Sequence, residues 1–287
     1  KKQKKIIKIN FFKKLFVKFC RFFNFEIIDQ NDLFLPTSNK SYNDNLSKLG
    51  KESLVLPMGR IKISRPVKSL DIILRTCSSV NMLSQSKKRI FEKTKDQYSL
   101  RTLNSLIRSI NKSQLTNKIK IKLTIIDHNS SERIKENFLN LLKNQNFESE
   151  IKDLEFDYYK RKIKNINQDG KEVTTNQMSN MSNINQSFNL AKECEDLVYF
   201  VEDDYLHELD AIEEMVYTFE RISSILKKDI ILCPADYPYL YNNLNETKIM
   251  LGNKYHWRSI HESLCTFLTS KEIVNEYWQK FISTCEF

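Results

Sequence analysis

Glycine is scarce in this chain: four residues in 287, with none between Gly59 and Gly170. A glycine-rich loop that wraps phosphate groups directly after a strand therefore has no place in that interval. The six cysteines, Cys20, Cys77, Cys194, Cys233, Cys265 and Cys285, are scattered without a C-x-x-C pair. Neither a zinc ribbon nor a disulfide framework is expected, and a reducing compartment is the default. No apolar run approaches the ~18 to 20 residues of a spanning helix, which excludes an integral helical membrane protein. No internal repeat is present.

With 40% hydrophobic and 29% charged residues, the composition is that of an ordinary globular protein. The net charge of +10 is concentrated: residues 1–21 hold eight lysines and Arg21 with no acid, leaving one positive charge for the remaining 266 residues. A nucleic-acid binder would carry a basic face on its folded body, so no nucleic-acid partner is expected.

Residues 1–29 read as a basic amphipathic helix. Phe12, Leu15, Phe16, Phe19, Phe22 and Phe23 recur at three- and four-residue spacing, and Lys13, Lys14, Lys18 and Arg21 fall elsewhere around the axis. Over residues 6–23 this pattern suits a helix lying in the interface of an anionic membrane. It also suits a helix docked on the protein's own body, or a leader segment. Residues 30–69, broken by Pro36, Gly50, Pro57, Gly59 and Pro66, read as a connector with one short strand at "SLVLP".

From residue 70 to 287 the pattern is that of a single α/β domain. "SLDIILRTC" and "IKLTIIDHNSS" are strands, each followed by a helix: "KRIFEKTKDQYSLRTLNSLIRSIN" and "SERIKENFLNLLKN". The Asn-rich stretch within residues 165–186 reads as surface loop, and "INQSFNLAKECE" as a helix feeding the strand "DLVYFV". Helix "ELDAIEEMVYTFERISSIL", strand "DIILCP", an aromatic loop "ADYPYLYNN", strand "SLCTFLTS" and helix "KEIVNEYWQKF" complete the order. Alternation of this kind predicts right-handed crossovers and a mostly parallel sheet flanked by helices.

One stretch stands out chemically. In "DLVYFVEDDYLH" five apolar residues run into Glu202, Asp203 and Asp204. Adjacent like charges repel and, near a core, lose hydration, so something must compensate them. In extended geometry Glu202 and Asp204 share one side and Asp203 takes the other. Carboxylates on a rigid strand end suit a hard divalent cation, which would also remove the repulsion. Acidic pairs at strand ends equally occur in phospho-acceptor domains and phosphatases, or cap the next helix. The clusters "RTCSS", "DHNSS", "EDDY" and "CPADY" all fall at the carboxyl ends of strands, where open α/β sheets bind ligands.

These segments, over roughly residues 70–283, resemble the GT-A-fold glycosyltransferases, in a family-2-like form. "LVYFVEDDY" is similar to their aspartate-x-aspartate metal motif in its E-D-D form, "LDIILRTCSS" to the first nucleotide-binding strand, and "LTIIDHNSSERI" to the second. In "INQSFNLAKECEDLVYFVEDD" Asn185 and Ala191 fall on the family's Asn and Ala, while Ile184 and Ser187 replace its Arg and Gly. "SLCTFLTSKEIVNEYW" looks like the strand and helix behind the acceptor site.

The resemblance implies a metal-dependent, inverting sugar transfer. The donor is a nucleotide-diphosphate sugar, and the acceptor a saccharide or lipid-linked molecule at the cytoplasmic membrane face. It implies that Asp204 ligates Mn2+ or Mg2+, that Asp203 contacts ribose or the metal through water, and that Asp127 contacts the base. Arg75, Thr76 and Asn185 lie where the nucleotide would be met. His256 or His261 could complete the metal shell, and Arg258 could bind diphosphate. The general base that such a transfer needs is Asp236 or Glu262, with Tyr237, Tyr239 and Tyr241 beside the former. Plainer roles stand beside these: helix capping for the acids, a loop cap for Asp127, an ion pair for Arg75, structural contacts for the histidines and Arg258. The competing classes are a nucleotidyltransferase, which the missing glycines disfavour, and a non-catalytic nucleotide-sugar-binding module of the same fold.

Overall fold

The computed structural model describes residues 11–25, 47–55, 59–78, 94–167, 170–242 and 246–285. The first ten residues of the basic tail, most of the connector before residue 47, and the start of the helix expected from residue 88 lie outside them.

Three runs rich in Ile, Leu and Val form the centre of a five-stranded sheet: β4 (Ser69–Thr76), β5 (Lys120–Asp127) and β7 (Leu197–Glu202). The edges are β6 (Glu148–Asp153) and β10 (Phe267–Ser270), in the order β10-β7-β4-β5-β6. Strands β4, β5, β6 and β7 run parallel, and β10 is antiparallel to β7. Register aligns their carboxyl ends: Thr76 stands beside Asp127, Arg75 beside Glu202, and Asp127 beside Asp153. This is the mostly parallel, helix-flanked sheet that the residue pattern leads one to expect.

Because successive strand residues point to opposite faces, the sheet feeds two cores. On one face Leu70, Ile72, Leu74, Leu123, Tyr199 and Val201 pack under α2 (Lys95–Ser113), α3 (Glu132–Leu142) and α6 (Ala211–Leu226). On the other, Ile73, Ile126, Val198 and Phe200 meet α5 (Thr175–Ala191), α7 (Lys271–Glu276) and α8 (Trp278–Ser283). A short α4 (Phe156–Tyr159) follows β6.

Residues before the sheet are not a loose linker. β1 (Ser47–Lys48), β2 (Glu52–Val55) and β3 (Gly59–Lys62) form an antiparallel meander that includes the one strand expected there. The carboxylate of Glu220, wholly buried on α6, accepts hydrogen bonds from the backbone N–H groups of Gly50 and Val67, at 3.1 and 2.7 Å. Arg65 forks between Asp196 at 2.6 Å and Asp229 at 2.9 Å. The N-terminal helix α1 (Phe11–Phe22) precedes this region. Among the described residues no helix is long and apolar enough to cross a membrane.

Several local expectations need correction. The Asn-rich stretch is not loop from residue 175 onward: it is the first half of α5, opened by a capping box between Thr174 and Gln177. Ser179 and Asn183 are buried there because they meet polar groups at the strand ends, the His128 ring and the Ile126 carbonyl, rather than the apolar core. β6 was not expected; its sequence, ESEIKD, is an edge strand tied by pairs such as Lys122–Glu150 at 2.8 Å. "DIILCP" forms only an isolated bridge, Leu232 to Leu268. The final helix is broken at Tyr277 into α7 and α8. A hairpin of β8 (Ile249–Leu251) and β9 (His256–Arg258) stands between the aromatic loop and β10, where the residue pattern predicts no element.

Candidate functional site

The three acids separate along the pleat of β7. Glu202 continues the face of Val198 and Phe200, and Asp203 the face of Tyr199 and Val201. Glu202 pairs with the buried Arg75 guanidinium at 3.2 Å, an ion pair whose angles fall short of a hydrogen bond, while Arg75 also donates to Asn180 of α5 at 3.2 Å. Glu202 further accepts from Thr266 Oγ1 at 3.4 Å. On the other face Asp203 is buried, paired with Lys95 and accepting from Ser99 Oγ at 2.7 Å and the Cys77 N–H at 3.4 Å. The repulsion within the triplet is thus met by two protein cations on opposite sides of the sheet. Asp204 is exposed in the turn that follows.

Beside this pair of contacts, Asp127 is buried at the end of β5. It accepts from Thr76 Oγ1 at 2.7 Å and from the Ser130 N–H at 3.0 Å, closing a turn in which Asn129 adopts a left-handed φ of 58°. Lys135 Nζ stands 4.0 Å from its outer oxygen. His128 contacts Ser179 and tilts over Phe156 at 4.8 Å; burial pushes its pKa below the ordinary value. The backbone carbonyl of Ile126 takes a 3.1 Å bond from Asn183. Asn185 lies inside α5 with its side-chain oxygen bonded to Asn189 at 2.9 Å. The α5 amides that reach the strand ends are therefore Asn180 and Asn183. Neither of these, nor Lys95, Ser99 and Ser179, was among the expected site residues; the available signal was their i, i+3 and i, i+4 spacing on polar helical turns.

The remaining expected residues gather one layer further out. Tyr205, after the acidic turn, hydrogen-bonds Tyr237, which stacks on Tyr239 with ring centroids 5.6 Å apart. Arg258 donates to Asp236 at 2.8 Å and lies over the Tyr241 ring at 4.1 Å, while Tyr241 donates to the other Asp236 oxygen. The hydrogen bond from Tyr241 and then that from Arg258 hold the Asp236 carboxyl below its ordinary pKa. A cavity of about 540 Å³ is lined by Tyr239, Tyr241, His256, Arg258, His261 and Glu262. The hairpin forming its wall is fixed to α6 by Glu214, which accepts from the N–H groups of Asn253 at 3.0 Å and Lys254 at 2.7 Å and from Trp257 Nε1 at 3.0 Å.

Among the described residues no three His, Cys, Asp or Glu side chains form a metal shell. A protein-built cage for a bare ion does not fit here. Magnesium-type ions that arrive on a nucleotide diphosphate take only one or two carboxylates, the rest of their shell being phosphate oxygen and water. An exposed Asp204 next to a partly exposed Glu202 fits that second mode.

No protein-family model matches the chain, and no curated protein matches it. Among solved structures it is similar to the crystal structure of S. aureus TarS residues 1–349, at 11% identity and a TM-score of 0.40, over 73% of this chain and 49% of that one. The chain thus spans about half the length of that structure. A likeness this distant adds nothing to the geometry of the site.

Proposed function

We propose that the protein transfers a sugar from a nucleotide-diphosphate donor to a saccharide or lipid-linked acceptor. One observation carries this reading. Three adjacent parallel strands end in register on Arg75–Thr76, Asp127 and Glu202–Asp203, and an aromatic bridge, Tyr205 to Tyr237, joins them to a cavity holding acid, imidazole and guanidinium groups.

In this reading the base lies against the turn at the end of β5, which the buried Asp127 fixes through Thr76 and Ser130. Asp204 and Glu202 would hold Mn2+ or Mg2+, which when bound would offset negative charge on the diphosphate leaving group. Tyr239 and Tyr241 supply faces for a sugar ring. The acceptor hydroxyl oxygen attacks the anomeric carbon, the bond to diphosphate oxygen breaks, and the hydroxyl proton passes to Glu262. Glu262 is the better base of the two acids: Asp236 already accepts from Arg258 and Tyr241, which makes it weakly basic.

A non-catalytic module is favoured by one feature, the commitment of Glu202 and Asp203 to Arg75 and Lys95. A thermal-shift series with nucleotide-diphosphate sugars, each with and without manganese, separates the readings. Shifts needing both metal and one particular base, lost in Asp204→Ala, support donor binding; product formation with an acceptor panel then distinguishes transfer from binding alone. No shift with any nucleotide sugar removes the proposal.

A further inference from the structure

Seven large apolar residues on α1 and its exit turn, Phe12, Leu15, Phe16, Phe19, Phe22, Phe23 and Phe25, are more than half exposed, up to 82% at Phe22. Phe19 and Phe22 pack edge-on against Phe23, at 5.0 and 5.3 Å, so the rings cluster with one another rather than under the body. A contiguous aromatic face of this kind is costly in water and marks a surface that something covers.

We infer that α1 lies along an anionic membrane surface, its phenylalanines in the acyl boundary and its cations among the headgroups. Three observations choose this occupant. The segment that bears the face carries nine of the chain's ten net positive charges and no acid, which complements a negative bilayer surface within about a Debye length of it. A second copy would bring an equal block of positive charge against it. The body has a net charge near zero and offers no matching negative excess. A helix of twelve residues is about 18 Å long, too short to span a bilayer and suited to lying in its plane. The inference is independent of the sugar-transfer reading.

The test is flotation of the full chain with vesicles of phosphatidylcholine alone and of equal parts phosphatidylcholine and phosphatidylglycerol. The native protein is expected to float with the anionic vesicles and to remain at the bottom with the neutral ones. Phe16→Ser/Phe19→Ser is expected to abolish flotation. Lys13→Gln/Lys14→Gln/Lys18→Gln is expected to weaken it roughly a hundredfold, at a factor of several per cation. The substitutions in the aromatic pair are at exposed positions, and an unchanged melting temperature separates lost binding from lost folding. Equal flotation with both lipids, or unaltered flotation of the serine variant, overturns the inference. So does a native dimer that the serine variant turns into a monomer while neither floats, which would assign the face to a second copy.

Discussion

Glu262 and Lys95 show how differently two charged side chains at one site are expected to respond. Glu262 is exposed on the cavity wall, so Glu262→Gln should leave the melting temperature unchanged and lower the transfer rate about 10²- to 10⁴-fold. Loss of the ascending limb of the pH–rate profile in that variant identifies the missing base; an unaltered profile returns the role to Asp236. Lys95→Met acts on stability instead. It leaves Asp203 buried with only the Ser99 hydroxyl and the Cys77 N–H, and removing one partner of a largely buried pair costs about 2 to 3 kcal/mol. Urea denaturation measures this, and Lys95→Met/Asp203→Asn should recover most of the loss.

Elements carry the next set of consequences. Gly252 sits where the β8–β9 hairpin meets α6; a Cβ there would fall 2.4 Å from Glu214 Oε1, 2.5 Å from Trp257 Nε1 and 2.6 Å from Thr218 Oγ1. Since Thr218 Oγ1 and Trp257 Nε1 both donate to Glu214 Oε1, none of the three can move without losing a partner. Gly252→Ala is expected to destabilise by about 1 to 3 kcal/mol and to free Trp257, seen as a red-shifted fluorescence component while Trp278 stays as before. The central strands were readable from their residues because each carries a short apolar run, IIL in β4, II in β5 and LVYFV in β7, that ends in a polar cluster. β6 was not, since an edge strand stitched by Lys–Glu pairs has no apolar signature. The first half of α5 was hidden by the rule that buried faces are apolar: Ser179, Ser182 and Asn183 are buried against polar strand ends. The hairpin strands are three residues each, too short for periodicity to register. Of the expected site residues, His256, Arg258 and Glu262 share one cavity and Asp236 bonds to it, whereas Asn185 turns into its own helix. A linear motif fixes neighbours along a chain but not the direction of a helical side chain.

At the scale of the whole molecule, Glu220 links the N-terminal meander to the sheet domain. Burial, outweighing its two backbone hydrogen bonds and nearby Arg65, raises its pKa to about 7 from an ordinary value near 4.5. The folded protein therefore holds this proton where the unfolded chain has released it, and stability falls as pH rises between those values. The full contribution is about 3 kcal/mol, at 1.36 kcal/mol per pKa unit. It is present below pH ~4.5 and gone above pH ~7. Glu220→Gln should remove this falling component and make the slope of urea midpoint against pH more positive there; an unchanged slope would mean that Glu220 does not contribute. The Arg65 hydrogen bond outweighs burial and holds Asp229 below its ordinary value, while burial pushes His207 down to about 4, so that group contributes stability in the opposite sense, rising with pH over the same window.

The alternation along β7 has a consequence for length. Glu202 reaches Arg75 on one side and Asp203 reaches Lys95 on the other, so adding or deleting one residue between 196 and 202 would exchange the two sides and set each carboxylate against the wrong neighbour. An insertion of two would restore the parity. Parity alone is not enough, because two added residues also carry the carboxylates about 7 Å along the strand, so a chain lengthened by one or by two should lose both ion pairs.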